Sequence, residues 1–329
     1  MSNAQRPVLP QTKRELIAVA PDLRPERDGR FERVRRGIYV EQPPSAPSSQ
    51  ASAGAVSRVP DASGRTGRYL LRIRAVHLAR SQPVFARESA LAIHDIPFGL
   101  EPDAVYTAGG AATARSKAGV VHATVALDPA DVVRVGDLLV CSLAYALADV
   151  ARRRDRLVAV SAIDAALRRR AVTKQAILDA LGRQGARGRA RAEWAISFAD
   201  GAAESVGESW SRVRVFELGF AAPELQLWVD GPTGNRWRVD LCFRRPGRRP
   251  VYGEFDGLMK YGELANQAGK SGARALAEEK QRDDELLFSG DPAHWIWDDL
   301  VRPTRLERIL VAYGVPRVRR PVASLAAPR

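Results

Sequence analysis

Apolar positions along the chain recur with two periods, and the changes between them mark out its elements. In residues 31–40, Phe31, Val34, Ile38 and Val40 flank Gly37, which predicts two short strands and a turn, with one helix, "QTKRELIAVA", before them. From Arg68 the spacing in "RYLLRIRAVHLAR" and "ARESALAIHDI" is helical, the second segment starting near Arg87 or Ser89. "VVHATVAL" and "DVVRVGDLLV" alternate and are rich in β-branched residues, so they predict strands. Four helices follow. "SLAYALADVARRR" begins at Ser142, and "RLVAVSAIDAALRRR" sets Leu157, Val160, Ile163 and Leu167 on one face. "TKQAILDALGRQ" has Thr173 as its N-cap, and "RARAEWAISFAD" stops at Asp200–Gly201.

Beyond Glu204 the rhythm reads helix, three strands, helix, strand, helix. The segments are "ESVGESWSRVRVFELGF", then "ELQLWVDG", "RWRVDLCFRR" and "PVYGEFDG", then "ARALAEEKQRDDELLFSG", "HWIW" and "DDLVRPTRLERILVAYG", the last broken or started by Pro303. This order predicts an α/β fold with one mixed sheet flanked by helices. The Pro-, Ser- and Gly-rich stretch 43–67 reads as a flexible linker and 316–329 as a disordered tail. The expected organisation is a short basic unit over 1–42, the linker, a mostly helical α+β region over 68–200, the strand-rich region over 201–315, and the tail.

Composition adds a partner class. The 329 residues are 45% hydrophobic with a net charge of +13, which points to a polyanion, although only six of the 51 basic residues are Lys and a coding bias toward Arg contributes. The surplus is concentrated. Residues 152–191 hold twelve basic and three acidic residues, with Arg168, Arg169, Arg170, Arg187, Arg189 and Arg191 as candidate nucleic-acid contacts. No apolar run is long enough to span a bilayer and no signal peptide is evident, so a cytoplasmic location without membrane contact is expected. Cys141 and Cys242 form no disulfide framework, four scattered histidines argue against a His-based metal site, and Gly109–Gly110 lacks nucleotide-loop spacing.

The chemistry is concentrated in "RVDLCFRRPGRRPVYGEFDG", 238–257. Strand alternation places Trp237, Val239, Leu241 and Phe243 on one face and Arg238, Asp240 and Cys242 on the other. In the next strand Tyr252, Glu254 and Asp256 share a face. Folding symmetrically about Gly247 sets Asp240 opposite Glu254. Two carboxylates ~5 Å apart at an effective dielectric of ~20 repel by roughly 3 kcal/mol. A shared proton, an arginine or a divalent cation such as Mg2+ would offset this. The alternative is ordinary ion pairing of these acids with Arg212, Arg236 or Arg238.

A helix with Glu, a strand with Asp, a strand with Glu and a basic helix resemble the PD-(D/E)XK nuclease core. The runs "ESVGESWSRVR", "WRVDLCF", "VYGEFDGLMKYG", "EEKQRDDELL" and "WIWDDL" are similar to proteins akin to very-short-patch-repair endonucleases. Upstream, "VFARESALAIHDIP", "GDLLVCSLAYALADVARR" and "AIDAALRRRAVTKQAI" resemble AbiEi-type antitoxins of type IV toxin–antitoxin systems, and "RVRRGIYV" resembles the end of their winged helix-turn-helix. These resemblances imply a restriction-endonuclease-like sheet preceded by an antitoxin-like region and a degenerate winged-helix remnant. They imply a Mg2+ site on Glu208, Asp240 and Glu254. Where the motif has Lys, this sequence has Asp256, an extra ligand, so Lys260 or Lys280 would supply the cation. The implied activity is phosphodiester hydrolysis in DNA. The alternatives are a non-catalytic DNA-binding antitoxin or regulator, partnered with a nucleotidyltransferase-like toxin, and a protein-interaction scaffold.

Overall fold

The computed structural model describes residues 9–41, 67–110, 119–257 and 270–322, with the side chains of 270–278 excepted. Of the linker expected over 43–67, only Gly67 is described, and it opens a helix; the rest of it and Lys260 lie outside the described residues. The described chain forms two compact units, one made of 9–41, 67–96 and 100–146, the other of 97–99 and residues from 147 onward.

In the first unit, β1 (Gln11–Thr12), α1 (Lys13–Val19), β2 (Phe31–Arg35) and β3 (Ile38–Glu41) form a small antiparallel sheet of order β1-β3-β2. Thr12 and Glu15 cap α1 reciprocally, each side chain accepting the other's backbone N–H. The β2–β3 turn holds Gly37 at φ +74, a conformation that favours glycine. Then follow α2 (Gly67–Ala79), β4 (Val84–Phe85), α3 (Arg87–Ile93), β5 (Val105–Gly109), β6 (Val120–Thr124), β7 (Val132–Val135) and β8 (Leu138–Cys141). Their strands make a mixed sheet of order β6-β5-β4-β8-β7. The cap of α3 is Ala86, which makes no side-chain capping bond. Ser89 is buried inside the helix, its hydroxyl bonded to Tyr69 and to the Tyr106 N–H, so packing rather than capping fixes that residue.

The division between the units falls within α4 (Leu143–Arg153). The second unit continues with α5 (Arg156–Arg168), α6 (Lys174–Gly182), α7 (Arg189–Phe198) and α8 (Val206–Glu217). Asp155, Thr173 and Ser205 cap α5, α6 and α8 through their side chains. Next come β9 (Glu224–Asp230), β10 (Arg236–Phe243), β11 (Val251–Phe255), α9 (Lys270–Ser289), β12 (Asp291–Trp295), α10 (Trp297–Val301) and α11 (Pro303–Ala312). The sheet order is β12-β11-β10-β9, with β10 antiparallel to both neighbours and β12 parallel to β11. This is the α/β class with a mixed sheet that the hydrophobic pattern predicts.

Helices flank this sheet. Val229, Val239, Cys242 and Tyr252 pack with Leu286 of α9, and Glu285 of the same helix accepts hydrogen bonds from Thr233, Asn235 and Trp237 at 2.7, 2.8 and 2.9 Å. Strict alternation would separate Val239 from Cys242. The ladder is irregular between them: Val239 pairs Leu227 and Leu241 pairs Leu225, while Asp240 and Gln226 form no regular pair and Gln226 has φ +53. On α8, Gly207 admits close approach, because a Cβ there would lie 2.0 Å from the Phe255 ring.

Part of the expected disordered tail is docked. Arg317 bridges to Phe220, the Val322 N–H donates to the Glu217 carbonyl, and the Arg319 guanidinium lies 3.6 Å from the Phe216 ring centroid. Gly219, at φ +83, leaves room for the Arg319 backbone, which a Cβ would meet at 2.3 Å. A polar, arginine-rich tail looks unstructured in composition, but its arginines stack on Phe216 of α8 and on Phe220 just beyond it.

Candidate functional site

The β10–β11 ladder pairs Leu241 with Gly253, Cys242 with Tyr252 and Phe243 with Val251. This is the register expected from folding about Gly247, and continued by one residue it sets Asp240 opposite Glu254. The two carboxyls are close enough for Asp240 to act on Glu254, and Asp240 accepts from the Phe255 N–H at 3.4 Å. Glu254 is 5% exposed. Burial first, and then Asp240, push its carboxyl up to about 8, against the opposing pull of Arg282.

Glu208 joins them from the first turn of α8. It is buried, its N–H donates to Ser205, and its carboxylate accepts from the Glu204 N–H at 2.9 Å and the Gln226 side-chain amide at 2.8 Å. Burial and the charge of Asp240 raise its carboxyl as well, while those hydrogen bonds work against the rise. The structure therefore couples Glu208, Asp240 and Glu254, the three acids read from the sequence.

None of the three arginines named from the sequence pairs with Asp240 or Glu254. Arg212 bonds Asp164 at 2.8 Å, Arg236 meets Asp230 at 3.4 Å and Arg238 meets Glu204 at 2.6 Å. The cation at Glu254 is Arg282 of α9, 2.5 Å away and also bonded to the Arg238 carbonyl at 2.9 Å. Lys280, two positions earlier on the same helix, is exposed. Sequence reading missed Arg282 because the pairing spans 28 residues and depends on how α9 rotates onto the sheet.

Asp256 is engaged elsewhere. It accepts from His294 Nδ1 at 2.9 Å, and the other ring nitrogen of His294 lies 3.6 Å from Asp283. The hydrogen bond to Asp256 raises the imidazole pKa despite burial. His294 is the β12 partner of Glu254 in the parallel ladder. One of the four scattered histidines thus borders the acids.

Gln226 was also missed. It lies on β9 across from Asp240, takes a left-handed backbone conformation, and leaves its buried Oε1 without a hydrogen-bond partner. A non-glycine residue in that conformation costs about 1–3 kcal/mol, and an unsatisfied buried acceptor costs about as much. Strand periodicity carries no sign of either.

The arginine cluster is largely solvent-facing. Arg168, Arg169, Arg170, Arg187 and Arg191 are exposed, whereas Arg189 is half-buried and donates to the carbonyls of Leu181 and Gln184 near the end of α6. A larger cavity of 390 Å³ in the first unit, lined by Val34, Arg35, Arg36 and Arg72 among others, contains none of these acids.

No family model matches the chain. It is 38% identical over 111 residues to uncharacterized proteins from two strains of Mycobacterium tuberculosis, a match covering 33% of this chain and 41% of each relative. The chain thus spans about two fifths of the length of the curated relatives it matches. Among the described residues no helix is long and apolar enough to cross a membrane.

Proposed function

We propose that the second unit is a divalent-cation-dependent nuclease of PD-(D/E)XK type acting on DNA. The observation that carries this reading is the apposition of half-buried Asp240 and buried Glu254 beside buried Glu208, with Arg212, Arg236 and Arg238 each paired to other acids. Among the described residues no group of three or more His, Cys, Asp or Glu is already arranged to hold a metal ion. The donor set nevertheless fits Mg2+, which takes oxygen ligands and is commonly held by one or two carboxylates. Asp240 and Glu254 would hold it, with Glu208 beside them. When bound, the cation acidifies water and offsets charge on phosphoryl oxygens.

The protein's own groups have separable tasks. The raised carboxyl of Glu254 keeps a proton at neutral pH until a cation displaces it. Arg282 limits the repulsion between Glu254 and Asp240 and supplies the positive charge that the motif assigns to Lys. Glu208, fixed by the Glu204 N–H and Gln226, adds negative charge where a cation is to settle. The exposed arginines at the ends of α5 and α7 give affinity for the phosphate backbone, largely independent of sequence and steeply dependent on salt.

One observation favours a second reading, a DNA-binding antitoxin or regulator with a non-catalytic nuclease-like unit: Asp256 stands where the motif has its Lys and is occupied by His294. Incubation of plasmid with the full chain and Mg2+ or Mn2+, beside Asp240→Ala and Glu254→Gln, separates them. Cleavage by the wild type, lost in both variants with DNA binding retained, supports the nuclease. DNA binding without cleavage by the wild type in either metal overturns it in favour of the regulator.

A further inference from the structure

Of the six tryptophans, Trp228 is the exposed one, at 53%. It lies on β9, the edge strand of the carboxylate-bearing sheet, opposite Arg238 in the ladder. Two guanidiniums attend its ring, that of Arg236 at 5.5 Å and that of Arg238 at 5.8 Å from the centroid. An aromatic left in solvent on an unpaired edge loses the benefit of burial and invites strand addition, which natural edges usually avoid.

We propose that Trp228, with Arg236 and Arg238, forms a stacking site for an unstacked base of single-stranded nucleic acid beside the carboxylate site. The proposal rests on the nuclease reading for its placement and adds to it a form of substrate, a single strand. A run of contacts links the two places. Arg238 is held by Glu204, the Glu204 N–H donates to Glu208, and Glu208 accepts from Gln226. Along β9, Trp228 is two residues from Gln226, roughly 7 Å by strand rise.

The chemistry of the patch favours a nucleotide. An indole face offers sequence-tolerant stacking to any base, and arginine adds cation–π attraction. The Arg236–Asp230 pair is loose at 3.4 Å, with side chains 65% and 86% exposed. Exposed pairs of this kind contribute little, so Arg236 can exchange its carboxylate for a phosphate. Strand addition by a second protein chain would use the backbone edge and would not require the two guanidiniums.

The test uses the full chain in EDTA, so that no cleavage occurs. Fluorescence anisotropy follows binding of a labelled oligothymidine of about twelve nucleotides, within the usual span of single-strand sites, and of a duplex of equal length. Trp228→Ala is expected to weaken oligothymidine binding about tenfold, the loss of one stacked base, while Trp228→Phe retains most of the affinity. Duplex binding should change less than about twofold, since phosphate contacts dominate it. Equal affinity of Trp228→Ala and wild type for the oligothymidine overturns the proposal. So does an equal loss on duplex, or a wild type that self-associates through β9 in sedimentation while Trp228→Ala does not. Failure to cleave plasmid would remove the nuclease reading and leave this binding result intact.

Discussion

Glu254 stands opposite Asp240 across β10 and β11 while its own carboxylate lies 2.5 Å from Arg282, so one buried group meets a like and an opposite charge together. Burial and the like charge prevail, and the carboxyl is held at about 8. A carboxyl whose folded pKa exceeds its unfolded value, here 4.5, binds its proton more tightly when folded. Stability is therefore greatest below about pH 4.5 as far as this group is concerned, and falls as pH rises toward 8. The slope approaches about 1.4 kcal/mol per pH unit at most. Asp164, raised to about 6, contributes to the lower part of that window. Urea denaturation in EDTA at pH of about 6, 7 and 8 should show wild-type stability declining more steeply than that of Glu254→Gln, which keeps only the slope contributed by other raised groups such as His294. A wild type no steeper than the variant would contradict the assignment.

Arg282 predicts a different signature. Arg282→Ala leaves Glu254 facing Asp240 without its cation, and should cost about 1–3 kcal/mol at pH 8, where Glu254 begins to ionise. The cost should shrink at pH 6. Under the nuclease reading, cleavage by this variant falls at least tenfold, and Arg282→Lys recovers part of it. Chemical denaturation and single-turnover cleavage measure the two effects.

The backbone at Gln226 can be examined without reference to its amide. Gln226→Gly and Gln226→Ala both delete the bond to Glu208, but only glycine accepts φ +53 freely. Gln226→Gly should be the more stable of the two by about 1 kcal/mol, net of its greater unfolded-state entropy. Equal stabilities would mean that β9 relaxes to an ordinary strand once the amide is removed.

Gly207 fixes how closely α8 approaches the sheet. Gly207→Ala places a methyl 2.0 Å from Phe255, whose ring also packs edge-on to Trp297 at 4.8 Å. Overpacking of this kind costs about 1–3 kcal/mol. It should also loosen Glu208, the next residue, so thermal unfolding and Mn2+ binding by calorimetry should weaken together.

The central hairpin was legible because its two strands are short, its turn is centred on a glycine, and side-chain alternation leaves few registers open. From those facts alone Asp240 was expected to face Glu254. Glu208 was reached only through the resemblance to the nuclease core, as the acid of its first helix; the structure sets it in the first turn of α8, capped by Ser205. What surrounds the acids was not legible. Arg282 and His294 arrive from elements far along the chain, and their approach depends on helix rotation and on parallel pairing with β11. The ladder also loses its regular pair at Asp240 and left-handed Gln226, between Val239 and Cys242, which strict alternation would separate and which nonetheless share a core.

The docked segment after Val315 has a practical consequence for dissecting the chain. Residues 316–322 clasp the far end of the helix whose opening turn carries Glu208, so a fragment cut at 315 would bare Phe216, Phe220 and the carbonyl of Glu217. Truncations intended to isolate the carboxylate-bearing sheet should therefore keep Val322, so that sticky, misfolded material is not mistaken for a folded unit without function.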